Sequence, residues 1–320
     1  MTIIPTLATI REAQQLLAGY LPVTPLVPCP ALNRADAQLH LKLELQLPTA
    51  SFKPRGALYA LATHLRRRSV EEVTASSTGN HGAAVAFAAK TLGVRATIFL
   101  PANPNPVKRR RIADLGAQIV EVGGQDLTDA YIEADKYSRR PGVYFLNDAT
   151  DLNIAAGPAT IGLEILEQLP QVTAVYVPMG DTALIRGFAA AAKQTKPSVR
   201  IIGVQAERAP SYYLSWKENR PISTDSCDTI ADGLATRTPE PENVRAIREL
   251  VDDVVLVSED EMLTAIRLLH EHAGVIAEPA GAAATAAFLK QPFSPGPVAA
   301  LVTGGNIPDA IRLRAGLPAS

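Results

Sequence analysis

What this chain has little of already excludes several classes of protein. It holds two cysteines, Cys29 and Cys227, and neither sits in a CxxC-type pair, so the sequence encodes neither a disulfide framework nor a cysteine metal centre. Two reduced thiols fit a cytoplasmic compartment. Aromatic residues are only 5% of the chain, few for a surface that stacks bases. No charge of one sign dominates: 31 Lys and Arg stand against 32 Asp and Glu, a formal net charge of -1, which leaves no global field to hold nucleic acid or an anionic membrane. No apolar run reaches the roughly 18 to 20 residues that span a bilayer, and the Ala-rich stretch Phe188–Ala192 is short and flanked by charge. The N-terminus lacks the basic and then apolar pattern of a secretory signal. Fixed-period repeats and low-complexity linkers are also missing.

What is there is an ordinary soluble composition, 47% hydrophobic and 20% charged, over 320 residues. At about 150 residues per domain this suggests two domains or one large α/β unit. Short apolar runs alternate with helical segments along the chain. Strands are predicted at Leu39–Leu45, Glu72–Ser76, Arg95–Leu100, Gln118–Val122, Thr173–Pro178, Arg200–Gln205, Asp253–Val257 and Pro297–Val302. Helices are predicted at Pro54–Arg67, His81–Leu92, from Pro106 to Gly116, Ile161–Gln168, Ala183–Gln194, Glu259–His272 behind Ser258 as N-cap, and Ala280–Leu289. The stretch Pro210–Pro241 reads as irregular. Repeated strand-helix-strand units imply an α/β fold of two doubly wound lobes with mainly parallel sheets.

Open parallel sheets bind ligands beyond the carboxyl ends of their strands. Three polar or glycine clusters fall there: Ser76-Ser77-Thr78-Gly79-Asn80-His81-Gly82, Gly180-Asp181-Thr182, and Thr303-Gly304-Gly305-Asn306. One such cluster is ordinary turn chemistry; three suggest a shared cleft. The second precedes a helix, where free amides and the helix dipole favour an anion, although Thr182 or Asp181 could simply cap that helix. It matches neither a P-loop nor a dinucleotide fingerprint. Lys53, in Ser51-Phe52-Lys53-Pro54-Arg55-Gly56, stands at a helix start, an electrostatically poor place for a cation. It is either a solvated lysine or an amine held in a cleft for imine chemistry. A lysine, a phosphate cradle and nearby hydroxyl and amide donors are the parts of a pyridoxal phosphate site.

With those residues in view, the chain resembles the serine/threonine dehydratase family of pyridoxal-phosphate enzymes, the fold-type II, tryptophan synthase β-like group that includes serine racemase. Thr24-Pro25-Leu26, Ser51 to Gly56, Thr78 to Gly82, Thr229-Ile230-Ala231-Asp232-Gly233, Glu278-Pro279-Ala280-Gly281 and the Thr303 cluster match in order, over nearly the whole chain. The resemblance implies a large pyridoxal-phosphate-binding domain of residues 1–70 with 147–320, and a small domain of 71–146. It implies that Lys53 forms the imine with the cofactor and, once freed, removes the substrate α-proton. Phe52 would pack on the ring and Asn80 would hydrogen-bond its hydroxyl. The backbone of Gly180, Asp181, Thr182, Ala183 and Leu184 would hold the phosphate, and Thr303 would face the pyridine nitrogen. Ser77, Thr78 and His81 would surround the substrate carboxylate, with Thr78 also a catalytic hydroxyl. Asp232 and Thr236 would be further substrate contacts.

The implied activity is that of an ammonia-lyase. Water leaves a β-hydroxy amino acid (threonine or serine, or a bulkier relative such as phenylserine or hydroxyaspartate), giving a 2-oxo acid and ammonia. A β-replacement synthase, a racemase and a non-catalytic binder are the alternatives. A homodimer is implied, with an amino acid as substrate and neither nucleic acid nor membrane as partner.

Some positions depart from the family pattern. Relatives carry a glycine run where Asp181, Thr182 and Ala183 stand, and Asp181 beside a phosphate would be repulsive, so its side chain is expected to point away. Thr78 replaces a serine of serine racemase, which disfavours racemisation. Gln205 and Ser211 align with the two metal-binding carboxylates, so no metal is expected. Lys108 to Arg111 and Arg66 to Arg68 read as solvated helix surface. His270 and His272 do not share a helix face. Glu278 lies near the cleft or caps the helix after it. Trp216, Tyr212 and Tyr213 read as core, as pocket wall or as a subunit contact. With the chain ending soon after Asn306, no regulatory domain is expected.

Overall fold

The structure is a computed structural model that describes residues 3–319 except 35, 78, 103, 124–126 and 292–294. Helix α1 (Leu7–Leu17) leads into β1 (Leu26–Pro28), β2 (Ala37–Leu43) and α2 (Pro54–Arg67). Then follow β3 (Glu72–Ser76), α3 (Asn80–Leu92), β4 (Arg95–Pro101), α4 (Pro106–Asp114), β5 (Gln118–Val122), α5 (Leu127–Ser138) and β6 (Val143–Phe145). The rest alternates α6 (Ala156–Gln168), β7 (Ala174–Pro178), α7 (Ala183–Thr195), β8 (Arg200–Ala206), α8 (Ser211–Glu218), α9 (Pro241–Leu250) and β9 (Asp253–Val257). It closes with α10 (Glu259–Ala273), α11 (Pro279–Lys290), β10 (Gly296–Val302) and α12 (Asp309–Arg314).

Two sheets result. One has six strands in the order β1-β2-β10-β7-β8-β9; the other has four in the order β5-β4-β3-β6. Every pairing is parallel except β1 with β2. Parallel strands need crossovers, and helices therefore cover both faces of each sheet. The side-chain period of two shows directly in the large sheet. Tyr176, Ile202, Val204, Ala300 and Val302 join one core, while Val175, Val177, Ile201, Ala299 and Leu301 join the core on the opposite face. Helix α2 packs Ala57, Leu58, Ala60 and Leu61 into the core of the small sheet with Val73, Ala75 and Ile98.

Local signals explain most boundaries. Ser258 caps α10 with a capping box closed by Glu261, and Asn105 caps α4 ahead of Pro106. Gly93 and Gly274 end α3 and α10 at φ of +73° and +65°, a conformation glycine adopts without a Cβ clash. The stretch 210–241 is not wholly irregular, because α8 and a 3-10 turn at Asp232–Leu234 lie within it. Helix α8 buries only Ser211, Tyr212 and Ser215, so no apolar stripe marked it. The strand expected at Leu39–Leu45 ends at Leu43, where Glu44–Gln46 turns into 3-10 helix. Among the described residues no helix is long and apolar enough to cross a membrane.

Candidate active site

The turns after β3, β6, β7 and β10 open into one cleft between the two sheets, and the turn ahead of α2 lines it too. Lys53 is placed there by its neighbours. Pro54 fixes the first turn of α2, and Arg55 is locked in the core with its guanidinium on Glu44 at 2.9 Å and Glu164 at 2.5 Å. Helix α6 crosses so near that a Cβ on Gly157 would fall 2.1 Å from the Arg55 carbonyl oxygen, a gap only glycine fits. The chain is thereby pinned two residues beyond Lys53, whose amine enters the cleft and forms a short ion pair with Asp148.

Asp148 had not been singled out in the sequence. It follows β6, at the carboxyl end of a parallel strand like the three recognised clusters, but β6 has only three residues and gave no strand signal. Burial opposes ionisation of Asp148; the charges of His81 and Lys53 outweigh it and hold the carboxyl well below the usual carboxylate range. His81 meets the Leu146 carbonyl through Nε2 at 2.8 Å. Its Nδ1 is buried with no hydrogen-bond partner, 3.8 Å from Asp148, and burial lowers the imidazole pKa.

The turn 180–184 lies across from Lys53. Thr182 is held at φ +68°, and no side chain caps α7, so the first amides of that helix keep their donors for another partner. Gly180 passes so close to Gly233 that a Cβ would meet the Gly233 carbonyl oxygen at 2.4 Å. The Asp181 side chain does not leave the cleft. It lines the wall, where Thr236 Oγ1 donates to it at 3.0 Å, and burial together with the negative charge of Asp148 pushes its carboxyl up to about 6.

The remaining candidates reach the same space. Phe52 and Thr303 line the cleft, with the Phe52 amide bonded to the Thr303 carbonyl at 3.0 Å. Asn80 donates to Glu278 at 2.5 Å and accepts from Asn306 at 2.8 Å. Ser77 lines it too, its hydroxyl accepting from the Gly79 amide at 2.8 Å. Thr78 lies outside the described residues. Asp232 is present but committed to Lys108 at 2.6 Å.

Lys108 corrects the reading of residues 108 to 111 as solvated surface. It is 2% exposed and bridges Asp232 and Glu278, the latter at 3.0 Å. Burial alone would strip its charge, but the two carboxylates more than offset that and raise its pKa. A cation within a basic helical run gives no sequence sign of which member turns inward. Gln205 and Ser211 are buried and engaged locally, Gln205 accepting from the Tyr213 amide at 2.8 Å and Ser211 donating to the Thr236 carbonyl at 2.5 Å.

A parallel α/β frame whose one cleft is lined by a lysine amine, a turn with free amides and a neutral threonine defines an enzyme of pyridoxal-phosphate chemistry. The residues fit that cofactor: an amine for its aldehyde, amides for its phosphate, and Phe52 for its ring. The sequence profile of the pyridoxal-phosphate dependent enzyme family (PALP) matches residues 18–304, and the chain belongs to that family. It is 37% identical over 304 residues to an L-threonine ammonia-lyase of Thermotoga maritima, covering 94% of this chain and 76% of that one. It is 34% identical over 311 residues to the catabolic L-threonine dehydratase TdcB of Staphylococcus aureus, covering 95% and 90%. Its fold superposes on maize serine racemase with a TM-score of 0.91 at 28% identity, covering 98% and 97%.

Proposed function

We propose that this chain is a dehydratase that eliminates water from a β-hydroxy amino acid, threonine or serine first, and releases a 2-oxo acid and ammonia. The observation that carries the reading is the single cleft that gathers Lys53, the 180–184 turn, Asn80 and Thr303. Two relatives at 34% and 37% identity, named for threonine dehydration, support it. When bound, pyridoxal phosphate supplies the sink for the electron pair left at the substrate α-carbon.

The chain's own groups do the rest. Lys53 Nζ would hold the cofactor through its aldehyde and, once free, would take the substrate α-proton as general base. Amides of residues 180–184 hold the phosphate, and Thr182 adds a hydroxyl. Phe52 packs against the ring and Asn80 meets the ring hydroxyl. Thr303 would stand at the pyridine nitrogen, where it offers no charge to protonate that atom. Ser77 and His81 would meet the substrate carboxylate, where the start of α3 offers uncapped amides, and Thr78 is assigned there by its place in the sequence alone. Asp232 reaches substrate only from its bond to Lys108, and Thr236 from its bond to Asp181.

We also propose the division into a domain of residues 1–70 with 147–320 and a smaller one of 71–146, a homodimer, and a cytoplasmic setting. The test of function is release of 2-oxo acid and ammonia from threonine, serine and phenylserine by the cofactor-loaded protein, with and without magnesium. The expected result is turnover without a magnesium requirement. Lys53→Ala should lose the cofactor-linked visible absorbance and, on the order of the effect of removing a covalent catalyst, at least a thousandfold in turnover. Activity retained in that variant overturns the mechanism.

A further inference from the structure

Among the described residues, four carboxylates line the cleft (Asp148, Asp181, Asp232 and Glu278) against two lysines, Lys53 and Lys108. Neither lysine is available to a substrate side chain. Lys108 is consumed by Asp232 and Glu278. Lys53, in the proposed function on which this inference rests, would act as a neutral amine. Asp148 then stands at the reacting nitrogen without its cation, beside the unpartnered Nδ1 of His81. Asp181 faces the same space, with the Thr236 hydroxyl as its side-chain hydrogen-bond donor and Arg186 behind it.

Both acids are held where they are. Beneath the cleft, Asn243 donates to the Ala149 carbonyl at 3.2 Å and to the Asp181 carbonyl at 3.3 Å, tying the Asp148 loop to the 180–184 turn. Arg186 repeats the tie. It is fully buried and donates to Ala149 O at 3.2 Å and Thr182 Oγ1 at 3.0 Å. The backbones on which the two carboxylates stand are thus cross-braced, and neither acid can swing away with its loop when an anion arrives.

We propose that Asp148 and Asp181 set the substrate class: they admit amino acids with a neutral or positively charged side chain and reject those with a second carboxylate. A substrate's β-carbon lies two bonds from the nitrogen that displaces Lys53, so a β-carboxylate would be brought against Asp148, and the buried Arg186 behind that wall is already shared between Asp148 and Asp181. Like charges brought together in a half-buried site repel strongly. Threonine, serine and phenylserine pass this filter; hydroxyaspartate does not.

Binding tests this apart from turnover. L-Alanine, L-aspartate and L-2,4-diaminobutyrate lack a β-leaving group, and their dissociation constants can be read from the change they cause in the visible spectrum of the loaded enzyme. In the wild type, aspartate should bind at least tenfold more weakly than alanine, and diaminobutyrate no more weakly than alanine. Asp148→Asn should improve aspartate relative to alanine at least tenfold, and Asp181→Asn at least threefold. If Asp148→Asn does not fold or load, Asp181→Asn decides. Equal wild-type binding of aspartate and alanine, or variants that shift all three ligands by one factor, overturns the proposal. An intact binding order with no 2-oxo acid from any substrate would sink the dehydratase reading and leave this one standing.

Discussion

Two buried clusters of charge in the molecule are built in opposite ways. Where α2, α6 and the turn after β2 meet, Lys42, Glu44, Arg55 and Glu164 form a closed set. The Lys42 amine is spent on Glu164, Gln168 and the Thr24 carbonyl, and Arg55 uses Nε, Nη1 and Nη2 on Glu44, Glu164, Thr160 and Thr24. None of these side chains leaves a buried polar atom without a partner. The second cluster, around Lys53, Asp148, His81 and Asp181 with Lys108, Asp232 and Glu278 on the same cleft, is open. It leaves His81 Nδ1 unanswered and sets two carboxylates in one wall. Buried charge that is fully partnered holds the fold in register. Buried charge that is incompletely partnered is kept for a ligand.

Breaking the closed cluster should have the largest effect on stability. Arg55→Ala leaves Glu44 and Glu164 buried with Lys42 as their remaining cation. Loss of one partner from a buried network costs about 3–5 kcal/mol, read as a fall in the urea midpoint. Its effect on cofactor binding should follow the loss of fold. A midpoint within about 1 kcal/mol of the wild type would mean that this cluster is not the anchor of α2.

A smaller loss is expected at the open end. Lys108→Met removes the cation between Asp232 and Glu278, but Asp232 is 34% exposed and can turn to water, and Glu278 keeps its bond from Asn80. The cost should be about 2–3 kcal/mol, because one buried carboxylate loses its charge partner. Substrate binding should suffer far more than the melt does. A variant as unstable as Arg55→Ala would erase the distinction between the two clusters.

The same contrast marks what could be read from sequence. Short parallel strands announced themselves between helical segments, as at Glu72–Ser76 and Gln118–Val122, where expectation and structure coincide. The turns after β3, β7 and β10 announced the cleft, because strand ends rich in Ser, Gly and Asn carry ligands. Asp148, Lys108 and Arg186 were not legible. Each acts through a contact across the fold: Asp148 with Lys53, Lys108 with Asp232, Arg186 with Ala149. No local period encodes such partners. The partner of Asp181, the Thr236 hydroxyl that holds its side chain in the wall, also lies far along the chain.

The smallest effect has the opposite sign. The Asp181 carboxyl is pushed up to about 6 by burial and by Asp148, whereas an unfolded aspartate ionises near 3.9. The folded chain therefore holds this proton more tightly than the unfolded one. Ionised Asp181 costs stability above pH 6, and that cost fades as pH falls through 6 toward 4, where both states carry the proton. Asp148 runs the other way: its carboxyl is held below the unfolded value, so it contributes stability near neutrality that is lost as pH falls through the acid range. Asp181→Asn in the cofactor-stripped protein should thus be more stable than the wild type by about 1 kcal/mol at pH 8, with the gain shrinking toward pH 5. Urea midpoints for both proteins across that range measure it. A gain that stays flat with pH would place Asp181 in the closed kind of cluster, its charge already answered, and would remove the reason to expect it to repel a second carboxylate.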